Sequence, residues 1–291
     1  MQVPWLTPPI SSAKGPSALS LPGLQCEALT RDEIQELPEL FAAFAMRAKD
    51  LGFSGVQVHA AHGFLLSQFL SPLFNKRTDE YGGSIQNRIR LLLLVIAQVR
   101  KAVGPHFAIA IKLNATDQLE GGLNEQDSLE VVSALDKTGI DLIDISGGTY
   151  FPGAKSASDN AGAGPYFLKF ATKARQRTSK PLMLTGGFKT LAQAQSAIAG
   201  GNIDVVGIAR ALVLNPDLAN DWQQNISTEP TFPRFSAAPE GGITAWYTLQ
   251  LTRLAEDHDD QMGQDLEQIL KVYNERDSQR AARWNKHFAS K

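Results

Sequence analysis

The sequence is poor in cysteine, in net charge and in long apolar runs, and each shortage excludes something. Its lone cysteine, Cys26, leaves no internal disulfide and fits a reducing compartment, so the cytoplasm is the expected location. The 28 Lys and Arg nearly balance the 30 Asp and Glu, which leaves no basic footprint for nucleic acid. The longest apolar run, Leu91 to Ala97, is too short to cross a bilayer, and no membrane partner is expected. The opening MQVPWLTPP lacks a basic segment followed by an apolar one, so no secretory signal is expected. Neither a solenoid-type repeat nor a low-complexity tract is present. What is there is 291 residues, 43% of them hydrophobic, enough for one large domain or two small ones.

Residues 1–23 are rich in Pro, Ser and Gly without a period and read as an extended arm. Thr30 to Glu33 is a capping box that opens a helix. Ile34, Leu37, Phe41, Phe44, Ala48 and Leu51 are its expected buried face. Pro38 interrupts that face at a cost of about 3 kcal/mol, which predicts a kink or a start delayed to Pro38. Five short apolar runs follow: Gly55 to His59, His106 to Asn114, Asp141 to Gly148, Pro181 to Gly187 and Asp204 to Arg210. Helical stretches alternate with them, the pattern of a parallel sheet with helical crossovers.

A closed (β/α)₈ barrel needs eight such strands. Residues 229–291 read as a helical extension with an apolar face at Trp246, Leu249 and Leu251, and add no strand. The expected fold is therefore α/β, an incomplete TIM-type barrel of about five parallel strands over 24–228, followed by a helical C-terminal tail. An open sheet of this kind predicts two unpaired edges and an exposed apolar inner face.

Val58 to Arg88 reads VHAAHGFLLSQFLSPLFNKRTDEYGGSIQNR. Two histidines three apart close a strand, and a polar loop runs on to a Gly82-Gly83 turn and a helix capped by Ser84. This string resembles the signature of the old yellow enzyme family of FMN-dependent oxidoreductases. The matched positions are His59, His62, Phe69-Leu70-Ser71-Pro72, Asn75, Arg77 through Ser84, and Asn87-Arg88. The resemblance covers roughly Gln2 to Ala255, and implies that the arm corresponds to the segment after the third barrel strand, with the first three strand-helix units absent.

The resemblance implies FMN as cofactor, NAD(P)H as reductant and a small-molecule substrate, an activated alkene such as an enone. It implies that His59 and His62 donate hydrogen bonds to the substrate's oxygen. Phe64 stands where the family usually has a proton-donating tyrosine, and a phenyl ring has no proton to give. Lys112 lies on the polar face of its strand. Its partner is either a carboxylate, Asp144 or Asp117, or, as the resemblance implies, the flavin's pyrimidine edge. Gly186 and Gly187, with Ala209 and Arg210 at the end of the next strand, match the family's phosphate site. Arg77, Asp79, Tyr81 and Arg88 are assigned to loop structure. No metal is expected: a zinc site needs three or more ligands, His106 sits at the amino end of its strand, the wrong end of the sheet, His258 and His287 lie in the tail, and no cysteine is close. The alternative is a truncated, non-catalytic relative with weak or no FMN binding, toward which Phe64, Pro38 and Gln57, where the family commonly has Glu, all lean. Oligomeric state is not legible.

Overall fold

The structure is a computed structural model that describes residues 13–21, 24–151, 164–226, 229–235, 238–258 and 260–288. Most of the arm, 1–12 and 22–23, lies outside the described residues. Its remainder contains two short strands. Strands β1 (Lys14–Gly15) and β2 (Leu19–Leu21) both pair with β3 (Leu24–Ala28), the first parallel and the second antiparallel.

The main sheet has five parallel strands in sequence order: β4 (Gly55–Ala60), β5 (Ala108–Asn114), β6 (Leu142–Ser146), β7 (Leu182–Thr185) and β8 (Val205–Gly207). Between them come α2 (Leu65–Leu70) and α3 (Ile85–Val103), α4 (Glu125–Asp136), α5 (Leu168–Arg175) and α6 (Leu191–Ala199), with α1 (Arg31–Asp50) in front. Among the described residues β4 pairs only with β5 and β8 only with β7, so the sheet does not close.

Alternation sorts each strand into two faces. Val58, Ile109, Ile111, Leu113, Ile143, Ile145, Leu182 and Leu184 are buried on one, each contributing roughly 1.5–3 kcal/mol by leaving water. The opposite face carries Gln57, His59, Lys112, Asp144 and Thr185, together with Ala108, Ala110, Met183 and Val205. The expected apolar inner face is thus largely polar where β4, β5 and β6 meet.

Helix α1 departs from its expected face. The capping box is formed, with Thr30 Oγ1 accepting from the Glu33 N–H at 3.2 Å and the Thr30 N–H donating to Glu33 at 2.8 Å. The helix runs unbroken through Pro38, so its start is not delayed. It buries Ile34, Pro38, Ala42 and Ala45, while Phe44 is 75% exposed and Leu51 62%. Helix α1 packs against α3, and two of its buried side chains are alanines. Leu37, Phe41 and Ala48 of the expected face are half-buried.

The chain divides into two compact units: Met1–Phe188 with Gln193–Gly207, and Lys189–Ala192 with Ile208–Lys291. The second holds α7 (Arg210–Leu214), α8 (Leu218–Gln223), α9 (Gly242–Leu254) and α10 (Leu266–Phe288). Trp246 is its buried centre, with its indole N–H donating to the Gly263 carbonyl at 3.0 Å. Leu251, expected beside it, is exposed; buried Gln250 instead ties the following loop through Asp260 and Met262.

Candidate active site

Strand register brings the first group of side chains together. His59 on β4 is the cross-strand neighbour of Lys112 on β5, and Lys112 is the neighbour of Asp144 on β6. Lys112 forms an ion pair with Asp144, whose side chain is almost fully buried. Asp144 also accepts from Thr185 Oγ1 at 2.7 Å and from Gln57 Nε2 at 3.1 Å. Of the two carboxylates open to Lys112 in the sequence, register selects Asp144. Asp117 turns back instead to Asn114 and the Leu123 N–H.

His62 lies just past β4 in the left-handed region, at φ 61°, a conformation that costs a non-glycine residue about 1–2 kcal/mol. Two hydrogen bonds hold it there, the second of them part of a β-bridge. Its N–H donates to Asn114 Oδ1 at 3.1 Å, its carbonyl accepts from the Tyr150 N–H at 3.1 Å, and it forms a β-bridge with Thr149. Asn114 is itself fixed by donating to Asp117 and to the Gly148 carbonyl. The neighbouring Gly63 has no room for a side chain, because a Cβ there would collide with Thr149 Oγ1. Segments following three different strands are thereby stitched into one rim.

On that rim the two imidazoles meet edge to face, with centroids 5.2 Å apart. His62 Nε2 lies 2.8 Å from Ser146 Oγ. His59 Nδ1 is buried without a hydrogen-bond partner, so it retains capacity for a ligand. Burial pushes both imidazoles down. His59 falls to about 4, with the Lys112 charge adding to the effect, and His62 falls to about 3, with His59 and Lys112 adding. Both are neutral at pH 7, and a neutral imidazole keeps one N–H to donate. Phe64 packs its ring 4.7 Å from His59.

The glycine turn after β7 is shaped by backbone need. Gly187 has φ 87°, and a Cβ there would strike the Gly164 carbonyl. In the second unit, Ala209 precedes α7 and Arg210 is its first residue, with the guanidinium 5.1 Å from the Tyr247 ring centre. The loop residues behave as structural parts. Arg77 binds Asp79 and donates to the Pro16 and Leu29 carbonyls, and Arg88 binds the Leu70 carbonyl and Asp127. Sequence reasoning passed over Asn114 and Tyr150. The polar end of KLN and the aromatic after the Ser146-Gly147-Gly148 turn were the available signals.

The residues suit a flavin and an oxygen-bearing substrate. Around Lys112 the open face offers an ammonium, the Gln57 amide and the Thr185 hydroxyl, a donor and acceptor set matched to a pyrimidine edge. The orphaned His59 nitrogen suits a ligand oxygen.

Fold and site together define a class: part of a parallel α/β barrel whose strand ends set neutral imidazoles beside a lysine. The chain belongs to the NADH:flavin oxidoreductase / NADH oxidase family, whose profile matches residues 8–229. It is 39% identical over 196 residues to an NADH-dependent flavin oxidoreductase of Neonectria sp., covering 63% of this chain and 26% of that one. Against the NADPH dehydrogenase of Halalkalibacterium halodurans it is 35% identical over 203 residues, covering 69% of this chain and 58% of the relative. Among solved structures, a morphinone reductase superposes with a TM-score of 0.63 at 27% identity, covering 77% of this chain and 62% of that chain. The old yellow enzyme homologue of Zymomonas mobilis gives 0.62 at 25%, covering 79% and 67%. The chain thus spans between a quarter and three-fifths of the two curated relatives.

Proposed function

We propose that this chain carries the substrate end of an FMN-dependent oxidoreductase of old yellow enzyme type, in which hydride from NAD(P)H reaches an activated, enone-like alkene by way of FMN. The observation that carries the reading is the neutral imidazole pair beside Lys112, with His59 Nδ1 buried and unpaired. FMN, when bound, supplies a two-electron carrier that accepts and returns a hydride.

The protein's own part is positioning and charge. Hydride addition to an enone builds negative charge on its oxygen, and N–H groups from His59 and His62 stabilise that charge without reorganising. The strained His62 backbone, held by Asn114, keeps its donor aimed. Lys112 would hold the flavin's pyrimidine edge, with Asp144 fixing where the ammonium sits. Gly186 and Gly187 would offer backbone N–H groups to the phosphate. Phe64 gives no proton.

Phe64 also favours a second reading, a family member that binds FMN weakly and does no alkene chemistry. The purified chain separates the two. A flavin spectrum, or uptake of added FMN, followed by anaerobic bleaching with NADH or NADPH and recovery on adding an enone, supports the first reading. A colourless protein that does not take up FMN removes it.

A further inference from the structure

We propose that Tyr150 supplies the proton that Phe64 cannot, an assignment that rests on the alkene-reducing reading. Its N–H donates to the His62 carbonyl at 3.1 Å, and the adjacent Thr149 bridges to His62, so the backbone ties this residue to the catalytic rim. Gly63 permits the approach, since any side chain there would collide with Thr149. The Tyr150 ring then stands 5.9 Å from Phe64 and 5.8 Å from His62, edge to face with both. A phenol is thereby set one ring away from the position where a tyrosine at residue 64 would present its own.

Nearby hydroxyls are poorer candidates. Ser146 Oγ is engaged with His62 Nε2, and Thr149 Oγ1 accepts from the Phe151 N–H at 3.1 Å. Both are aliphatic alcohols, far weaker acids than a phenol. Tyr150 is 58% exposed, so its side chain is open to solvent, from which a phenolate can be reprotonated.

The step balances. The electron pair comes from NAD(P)H, which is oxidised, and forms a C–H bond at one alkene carbon. The Tyr150 O–H bond breaks as its proton forms a C–H bond at the neighbouring carbon. The phenolate left behind takes a proton from water.

Four proteins test the assignment: wild type, Phe64→Tyr, Tyr150→Phe, and Tyr150→Phe with Phe64→Tyr. Each is reduced with NADPH and mixed with 2-cyclohexenone or with a quinone, whose reduction needs no proton at carbon. The enone-to-quinone rate ratio is expected to fall about 10²- to 10⁴-fold in Tyr150→Phe, and to recover when Phe64→Tyr is added. An unchanged ratio in Tyr150→Phe overturns the assignment and leaves the alkene reading standing. Enone turnover absent in wild type but present in Phe64→Tyr also overturns it. Enone turnover absent from both, with the protein still reduced by NADPH, overturns the alkene reading and the assignment with it. A readout independent of turnover uses oxidised protein carrying ¹³Cζ-labelled tyrosine, titrated with cyclohexanone. The resonance missing in Tyr150→Phe is expected to shift on binding. Saturation, followed by the histidine signals, without that shift overturns the assignment.

Discussion

At the scale of single residues, burial governs the two imidazoles. Because burial depresses both below their ordinary value, the unfolded chain takes up protons near pH 6.5 that the folded chain refuses until about pH 4 for His59 and about pH 3 for His62. The unfolded state binds more protons in that window, so stability is full above it and falls as pH drops through it. The urea midpoint of wild type is therefore expected to fall between pH 6.5 and 4.5 faster than that of His62→Gln. Parallel midpoints would show that His62 titrates normally. Lys112 and Asp144 behave as a buried pair. Asp144→Asn alone is expected to cost roughly 3–5 kcal/mol, and Lys112→Met with Asp144→Asn distinctly less than the two single changes summed. Additive losses in urea denaturation would mean that the two groups do not pair.

Helix α1 shows what decides an element. Its start was legible in the Thr30 capping box. Its buried face was not. Ile34 was expected inside and is buried, but Phe44 and Leu51 of the expected face are exposed, while Ala42 and Ala45 are buried in their place. Burial follows the shape of the partner helix, which no helical period contains. Ile34→Ala is expected to cost about 2–5 kcal/mol, while Phe44→Ser stays within about 0.5 kcal/mol. Equal losses from the two, measured by thermal unfolding, would put Phe44 back in the core. At the end of β7, Gly187→Ala is expected to destabilise by more than 1 kcal/mol, roughly the left-handed penalty alone, because its Cβ also meets the Gly164 carbonyl.

For the whole molecule, the open sheet is the dominant fact. Among the described residues, β4 and β8 each pair on one side only, and such edges template association with other strands. The purified chain is expected to self-associate with rising concentration. Val205→Lys, which places a charge on exposed β8, is expected to reduce it. Light scattering that is flat with concentration for wild type would show that the edges are protected.

Local information was enough for the strand runs, the helix caps and the face shared by His59 and Lys112, because strand alternation is a property of neighbouring residues. The family signature in Val58 to Arg88 was likewise readable in one dimension. Long-range packing alone decided that Lys112 pairs with Asp144 rather than Asp117, that α1 turns Phe44 outward, and that Tyr150 comes to stand beside Phe64. Each of those depends on where a distant strand or helix lies, and separation along the chain carries no record of that distance.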